Sequence, residues 1–176
     1  MTHWSSAAVT AIGKRNTNED ALLEEPELGL WAVADGLGGH RHGEVASTTA
    51  LHALKSAILA GRDLPEAVEA ANLTTCHEAF KRGSDMGTTV VALRLQGGYW
   101  ELAWVGDSRG YAWDGAELQQ LTTDHTEAQQ AVAAGQLNPD EARSHPSGHV
   151  LTRALGLQDQ VEVATTGGAL GGEKLF

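Results

Sequence analysis

Between Thr89 and Leu121 apolar alternation and turn signals are packed so closely that only antiparallel pairing fits. Thr89, Val91, Leu93 and Leu95 fall on one strand face, Gly97-Gly98 marks a two-residue hairpin, and Trp100, Leu102 and Trp104 share a face of the next run. Gly106 to Gly110 then turns the chain into Tyr111-Ala112-Trp113, and Asp114-Gly115 turns it again into residues 116–121. Parallel neighbours need a crossover of about a dozen residues or more, and none of these turns is long enough. A parallel sheet built from strand–helix–strand units is therefore excluded for this stretch.

The flanking segments add strands and helices. Residues 6–12 and 29–35 read as strands, separated by the acidic, Pro-broken Glu24-Glu25-Pro26-Glu27. In the second of these, Trp31, Val33 and Asp35 fall on one face and Leu30, Ala32 and Ala34 on the other, which predicts burial on both sides. Residues 44–60 read as a helix through Val45, Leu51, Leu54 and Ile58. A second helix starts at Asp63, with Pro65 in its first turn and Glu66 completing a capping box, and stops at Gly83. From 122 to 149 two short helices are expected, one started by Thr126 and one opened by Asn138-Pro139-Asp140-Glu141, forming a surface subdomain. Residues 150–164 return to the core.

Composition narrows the partners. The chain has 176 residues, 12 Lys plus Arg against 23 Asp plus Glu, and a net charge of −11. Nucleic-acid affinity comes largely from basic side chains on phosphates, so nucleic acid is not an expected partner, nor is an anionic membrane surface. Cys76 is the single cysteine, which rules out an intrachain disulfide and a cysteine-based zinc site. Ala7 to Ile12 is too short for a signal peptide, so a cytoplasmic protein is the expectation.

The chemistry concentrates in Val33-Ala34-Asp35-Gly36-Leu37-Gly38-Gly39-His40, where an apolar strand ends in a carboxylate followed by glycines. Such an acid at a strand tip suits a hard cation, and a glycine leaves its carbonyl available as a second oxygen ligand. Two more acidic clusters flank predicted strands or turns, Glu19-Asp20 and Asp107, and Arg15 precedes the first. Carboxylate-held divalent cations with one guanidinium for an anion are what phosphate ester hydrolysis requires.

In order, the chain carries Arg15-Asn16-x-Asn18-Glu19-Asp20, Val33-Ala34-Asp35-Gly36-x-Gly38-Gly39-His40 and Gly43-Glu44-x-Ala46-Ser47. Met86-Gly87-Thr88-Thr89, Val105-Gly106-Asp107-Ser108-Arg109-Gly110, Leu121-Thr122-x-Asp124-His125, His145-Pro146 and Leu151-Thr152-Arg153-Ala154-Leu155-Gly156 follow. Together they resemble the bacterial branch of the metal-dependent PPM (PP2C-type) protein serine/threonine phosphatases. That resemblance implies an α+β fold, a four-layer α-β-β-α sandwich of two antiparallel sheets flanked by helices. It implies Mn²⁺ or Mg²⁺: two core ions bridged by Asp35 with the Gly36 carbonyl, Glu19 and Asp20 at the second ion directly or through water, and Asp107 at a third. Arg15 would hold the substrate phosphate. The implied reaction is in-line attack by a metal-bridging water on phosphoserine or phosphothreonine, with phosphorylated proteins, substrates of a Ser/Thr kinase, as partners and a monomer as the working form. Residues 122–149 would be the flap beside the site.

Two departures from the family pattern stand out. The position two residues after the bridging aspartate, a histidine general acid in some members, is Leu37 here, and no role is transferred to His40 or His42. The family also continues with a Ser-Asp-Gly strand and a later Asp-Asn, whereas this chain reaches Glu173-Lys174-Leu175-Phe176 without them. Residues 1–176 are thus expected to be a phosphatase domain lacking its last strands and helix. Three accounts stay open: an enzyme, a non-catalytic relative that binds phosphoprotein or metal without turnover, and a fragment of a longer reading frame.

Overall fold

The computed structural model describes residues 4–13, 17–37, 42–142, 144–172 and 174–176. Strand β1 (Asp20–Glu25) runs antiparallel to β2 (Leu30–Leu37), from Asp20 opposite Asp35 to Glu25 opposite Leu30. A single 3-10 turn, Pro26–Leu28, connects them. On its other edge β2 pairs with β3 (Gly87–Thr88) and β4 (Val90–Gln96), and β4 leads through Gly97-Gly98 into β5 (Tyr99–Val105). Both turn glycines have positive φ, 61° and 84°, the geometry that lets a two-residue loop follow the strand twist. The ladder closes on β8 (Ala164–Ala169), giving the order β1-β2-β4-β5-β8. A second antiparallel sheet has β6 (Tyr111–Trp113) between β7 (Leu118–Gln120) and β9 (Lys174–Leu175). Two antiparallel sheets with helices bear out the α+β expectation.

Two long helices cover one face of the larger sheet. Helix α1 (His42–Leu59) buries Leu51, Leu54 and Ile58, and α2 (Leu64–Arg82) buries Leu64, Val68 and Ala71. They pack on Leu30, Ala32, Ala34, Val90, Ala92, Ala103 and Val105 of the strands beneath. The predicted capping box forms: Asp63 accepts from the Glu66 amide at 2.9 Å while Glu66 reaches back to the Asp63 amide. Asn72 ties the later chain to α2, accepting from the Gly156 amide at 2.9 Å and donating to the Gln158 carbonyl at 2.8 Å. Short helices α3 (Glu127–Ala133) and α4 (Pro139–Ala142) form in the 122–149 segment, with Thr126 capping α3. Among the described residues no helix is long and apolar enough to cross a membrane.

Three expectations change. Residues 6–12 form no strand; they lie exposed along β1, where Ser6 donates to Glu24 and Asn18 donates to Thr10 at 2.8 Å. A strand needs a main-chain partner, and these contacts are between side chains. The stretch before Pro26 is a strand, β1, because Ala21 and Leu23 pack into the helix-side core while the acids stay at the rim. Finally, β2 is buried on one face only. Leu30, Ala32 and Ala34 face the helices, whereas Val33 on the opposite face is 41% exposed. Cys76 is half-buried with its thiol 3.3 Å from the Gln158 carbonyl. Burial, helped by nearby Asp159, pushes that thiol pKa up, so it is a poor nucleophile.

Candidate functional site

Three of the predicted acids, Glu19, Asp20 and Asp35, lie at neighbouring backbone positions where β1 and β2 reach the start of α1. Asp20 and Asp35 are direct cross-strand partners, so both side chains project on the sheet face away from the helices. The Gly36 amide donates to the Glu19 carbonyl at 3.1 Å, and Ser47 of α1 donates to the same oxygen at 2.7 Å. Strand end, Glu19 and helix start are thus one unit.

Glycine is required at this junction by space. A Cβ on Gly36 would lie 2.1 Å from the Gly43 carbonyl oxygen, and a Cβ on Gly43 would lie 2.9 Å from the Gly36 carbonyl oxygen and 3.0 Å from the Glu19 carboxyl carbon. The two glycines let the first turn of α1 descend on Gly36 and Glu19. The positive end of the helix dipole then faces a carboxylate, a favourable pairing. Carboxylates and a glycine carbonyl uncovered by any side chain at position 43 form an all-oxygen set, the chemistry that hard divalent cations select. The residues present therefore fit Mn²⁺ or Mg²⁺ in donor type.

The strand tip is fixed from its other side by residues for which the sequence suggests no chemistry. The Thr88 hydroxyl donates to the Asp35 carbonyl at 2.9 Å, as does the Thr89 amide. The Thr89 hydroxyl accepts from the Asp35 amide at 3.1 Å and shares a 2.6 Å hydrogen bond with Ser108. Thr88 and Thr89 therefore link Asp35 to the loop that carries Asp107. The Met86-Gly87-Thr88-Thr89 motif is the signal that could have marked them.

Asp107 follows β5 on the rim of a groove of about 990 Å³, whose walls include Arg109, Tyr111, Asp124, Gln129 and His149. Among the described residues, no three His, Cys, Asp or Glu side chains lie together as a metal-binding group, so neither the Glu19, Asp20 and Asp35 side chains nor Asp107 with Asp20 and Asp35 close into one cluster. Arg15, the expected phosphate ligand, lies outside the described residues, as does His40. His42 bonds Ser84 through Nδ1 at 2.6 Å, a tie between the start of α1 and the segment after α2.

The Asp107 loop is bound to the beginning of the 122–149 segment. Arg109 grips Asp124 with a fork, Nε to Oδ1 at 2.9 Å and Nη2 to Oδ2 at 2.6 Å, which raises the Arg109 pKa further above its ordinary value. The Gly106 amide donates to His125 Nδ1 at 3.0 Å, and the His125 amide donates to the Gly106 carbonyl at 2.9 Å. Burial, reinforced by the Arg153 charge, lowers the His125 pKa, which agrees with Nδ1 accepting a proton donor. The ring stacks on Trp104, centroids 6.1 Å apart.

The chain is similar to known proteins in sequence and fold. Residues 10–154 match the family model for protein phosphatase 2C. The chain is 36% identical over 166 residues to the serine/threonine phosphatase Stp of Listeria monocytogenes, spanning 86% of this chain and 66% of Stp, just under two thirds of that relative's length. The PPM Ser-Thr phosphatase MsPP of Mycobacterium smegmatis superposes with a TM-score of 0.82 at 36% identity, covering 92% of this chain and 71% of MsPP. The catalytic domain of the phosphatase PstP, solved in complex with two manganese ions, superposes with a TM-score of 0.76 at 34% identity, covering 92% of this chain and 70% of that catalytic-domain chain.

Proposed function

Because this chain belongs to the protein phosphatase 2C family, we propose that the protein hydrolyses phosphoserine and phosphothreonine in phosphorylated proteins, using Mn²⁺ or Mg²⁺. The observation that carries this reading is the junction of Asp35-Gly36 with Glu19 at the start of α1, an oxygen-rich tip that the packing of two glycines holds in place.

Asp35 and the Gly36 carbonyl would hold the core ions, with Glu19 and Asp20 alongside and Asp107 serving a third. Bound divalent cations supply charge neutralisation at phosphoryl oxygens and a water of lowered pKa. The chain's own part is positional. Thr88 and Thr89 fix the backbone of Asp35, and the absence of a side chain at position 43 lets the first turn of α1 approach the Gly36 carbonyl closely. Arg15 would orient the phosphate through its guanidinium fork. With Leu37 at the place of the histidine acid found in some members, protonation of the leaving serine or threonine oxygen is assigned to solvent at the site rather than to a side chain. The phosphatase names of the relatives, at 36% identity for Stp, favour turnover over the non-catalytic alternative.

Hydrolysis of an aryl phosphate and of a phosphothreonine peptide, with Mn²⁺ or Mg²⁺ against a chelated control and Asp35→Asn, tests the reading. Turnover should vanish on chelation and fall about 100-fold or more in Asp35→Asn. A folded protein that turns over neither substrate, or an Asp35→Asn variant as active as the parent, would overturn it.

A further inference from the structure

The loop from Gly106 to Gly110 has an unusual number of ties to one short stretch of chain. Gly106 exchanges two hydrogen bonds with His125, Arg109 forks onto Asp124, the Gly110 amide donates to the Thr122 hydroxyl at 3.1 Å, and the Leu121 amide donates to the Gly110 carbonyl at 2.8 Å. Trp104, just before the loop, donates its indole N–H to the Thr123 carbonyl at 2.9 Å. On the opposite side Ser108 bonds Thr89, which itself accepts from the Asp35 amide. Asp107 therefore sits between two anchored ends, one tied to Asp35 and the other to the root of α3.

Within this set the Arg109–Asp124 pair has a special place. The Asp124 side chain is only 14% exposed although it lies at the groove, and Gln120 donates to it as well at 3.3 Å. Neighbouring turns could be closed by backbone bonds alone. A partly buried carboxylate gripping a guanidinium in two places fixes direction as well as distance, because the planar fork permits one orientation. The same two residues line the groove beside Asp107.

We propose that Asp124 is a positioning residue. Through Arg109 it locks the Asp107 loop to the root of the 122–149 segment, so that Asp107 and the groove wall move as one body. The consequence for metal use rests on the phosphatase reading; the mechanical coupling does not. Loosening the lock should free Asp107 without unfolding the core, and the cost should appear in metal requirement more than in turnover at saturating metal.

The test compares the intact protein with Asp124→Asn and Arg109→Lys by amide hydrogen exchange in chelator, and by half-activating Mn²⁺ with an aryl phosphate. Residues 106–111 and 121–126 should lose protection together in both variants, while α1 and α2 exchange as in the parent. Arg109→Lys keeps the charge but loses the fork, so it should resemble Asp124→Asn rather than the parent. Half-activating Mn²⁺ should rise about tenfold, with turnover at saturating metal changed less than about twofold. Exchange that rises at 121–126 but not at 106–111, or that rises across the whole chain, would overturn the coupling. A parent without metal-dependent turnover would sink the phosphatase reading alone, because the exchange data stand without it.

Discussion

Asp20 and Asp35 stand directly opposite each other in the β1–β2 ladder, two carboxylates side by side at the end of a sheet. Like charges facing across strands destabilise a sheet by a fraction of a kcal/mol to about 1 kcal/mol. The arrangement is therefore one whose stability should rise when a cation joins it.

Replacing Asp35 by Asn should separate fold from site. In chelator the variant is expected to melt at the parent's temperature or slightly above, by up to about 1 kcal/mol in stability, since a like-charge pair is removed. Added Mn²⁺ should raise the melting temperature of the parent and leave Asp35→Asn nearly unmoved, which thermal unfolding in both buffers checks.

Gly36→Ala should be costly although it adds only one methyl group. The new Cβ would fall 2.1 Å from the Gly43 carbonyl, against helix backbone that cannot rotate aside. Displacing the first turn of α1 is expected to cost about 1–3 kcal/mol, read from a urea unfolding midpoint.

His125 should make stability depend on pH. Its folded pKa lies below the usual value of 6.5, mainly through burial and then through Arg153, opposed by Glu162 and Asp124. A lowered histidine pKa means that the unfolded chain binds the proton more readily. Its stabilising contribution is then full above about pH 6.5 and is lost as pH falls through the window down to the folded value. His125→Asn keeps an acceptor for the Gly106 amide but does not titrate. Urea melts between about pH 7.5 and pH 5 should show a steeper loss for the parent than for this variant.

Asn72→Ala removes the acceptor of the Gly156 amide and the donor to Gln158 and Asp159, all without touching the acids. Leaving the buried Gly156 amide unpaired should cost about 1–3 kcal/mol. Thermal unfolding checks the loss, and the Mn²⁺ response of the variant that remains folded should equal the parent's.

The sequence by itself determined the elements whose signals are local. The Gly97-Gly98 hairpin, the Asp63–Glu66 capping box and the alternation of Trp100, Leu102 and Trp104 depend on backbone geometry within a few residues, and each forms as expected. The candidate acids were legible for a similar reason, since an acid at the tip of an apolar run is conspicuous in one dimension.

Tertiary structure decided what depends on a distant partner. Residues 6–12 have strand-like composition but gain no ladder, while the acidic Asp20–Glu25 becomes a strand because β2 offers it one. Val33 reads as core and lies exposed, because periodicity shows that a face is apolar and not whether anything covers it. The ties of Thr89 to Asp35 and Ser108, and of Asp124 to Arg109, join positions 54, 19 and 15 residues apart. No spacing rule spans such separations. The approach of strands and helices, driven by apolar burial, sets which polar groups meet, and only then can a hydroxyl or a guanidinium acquire a role.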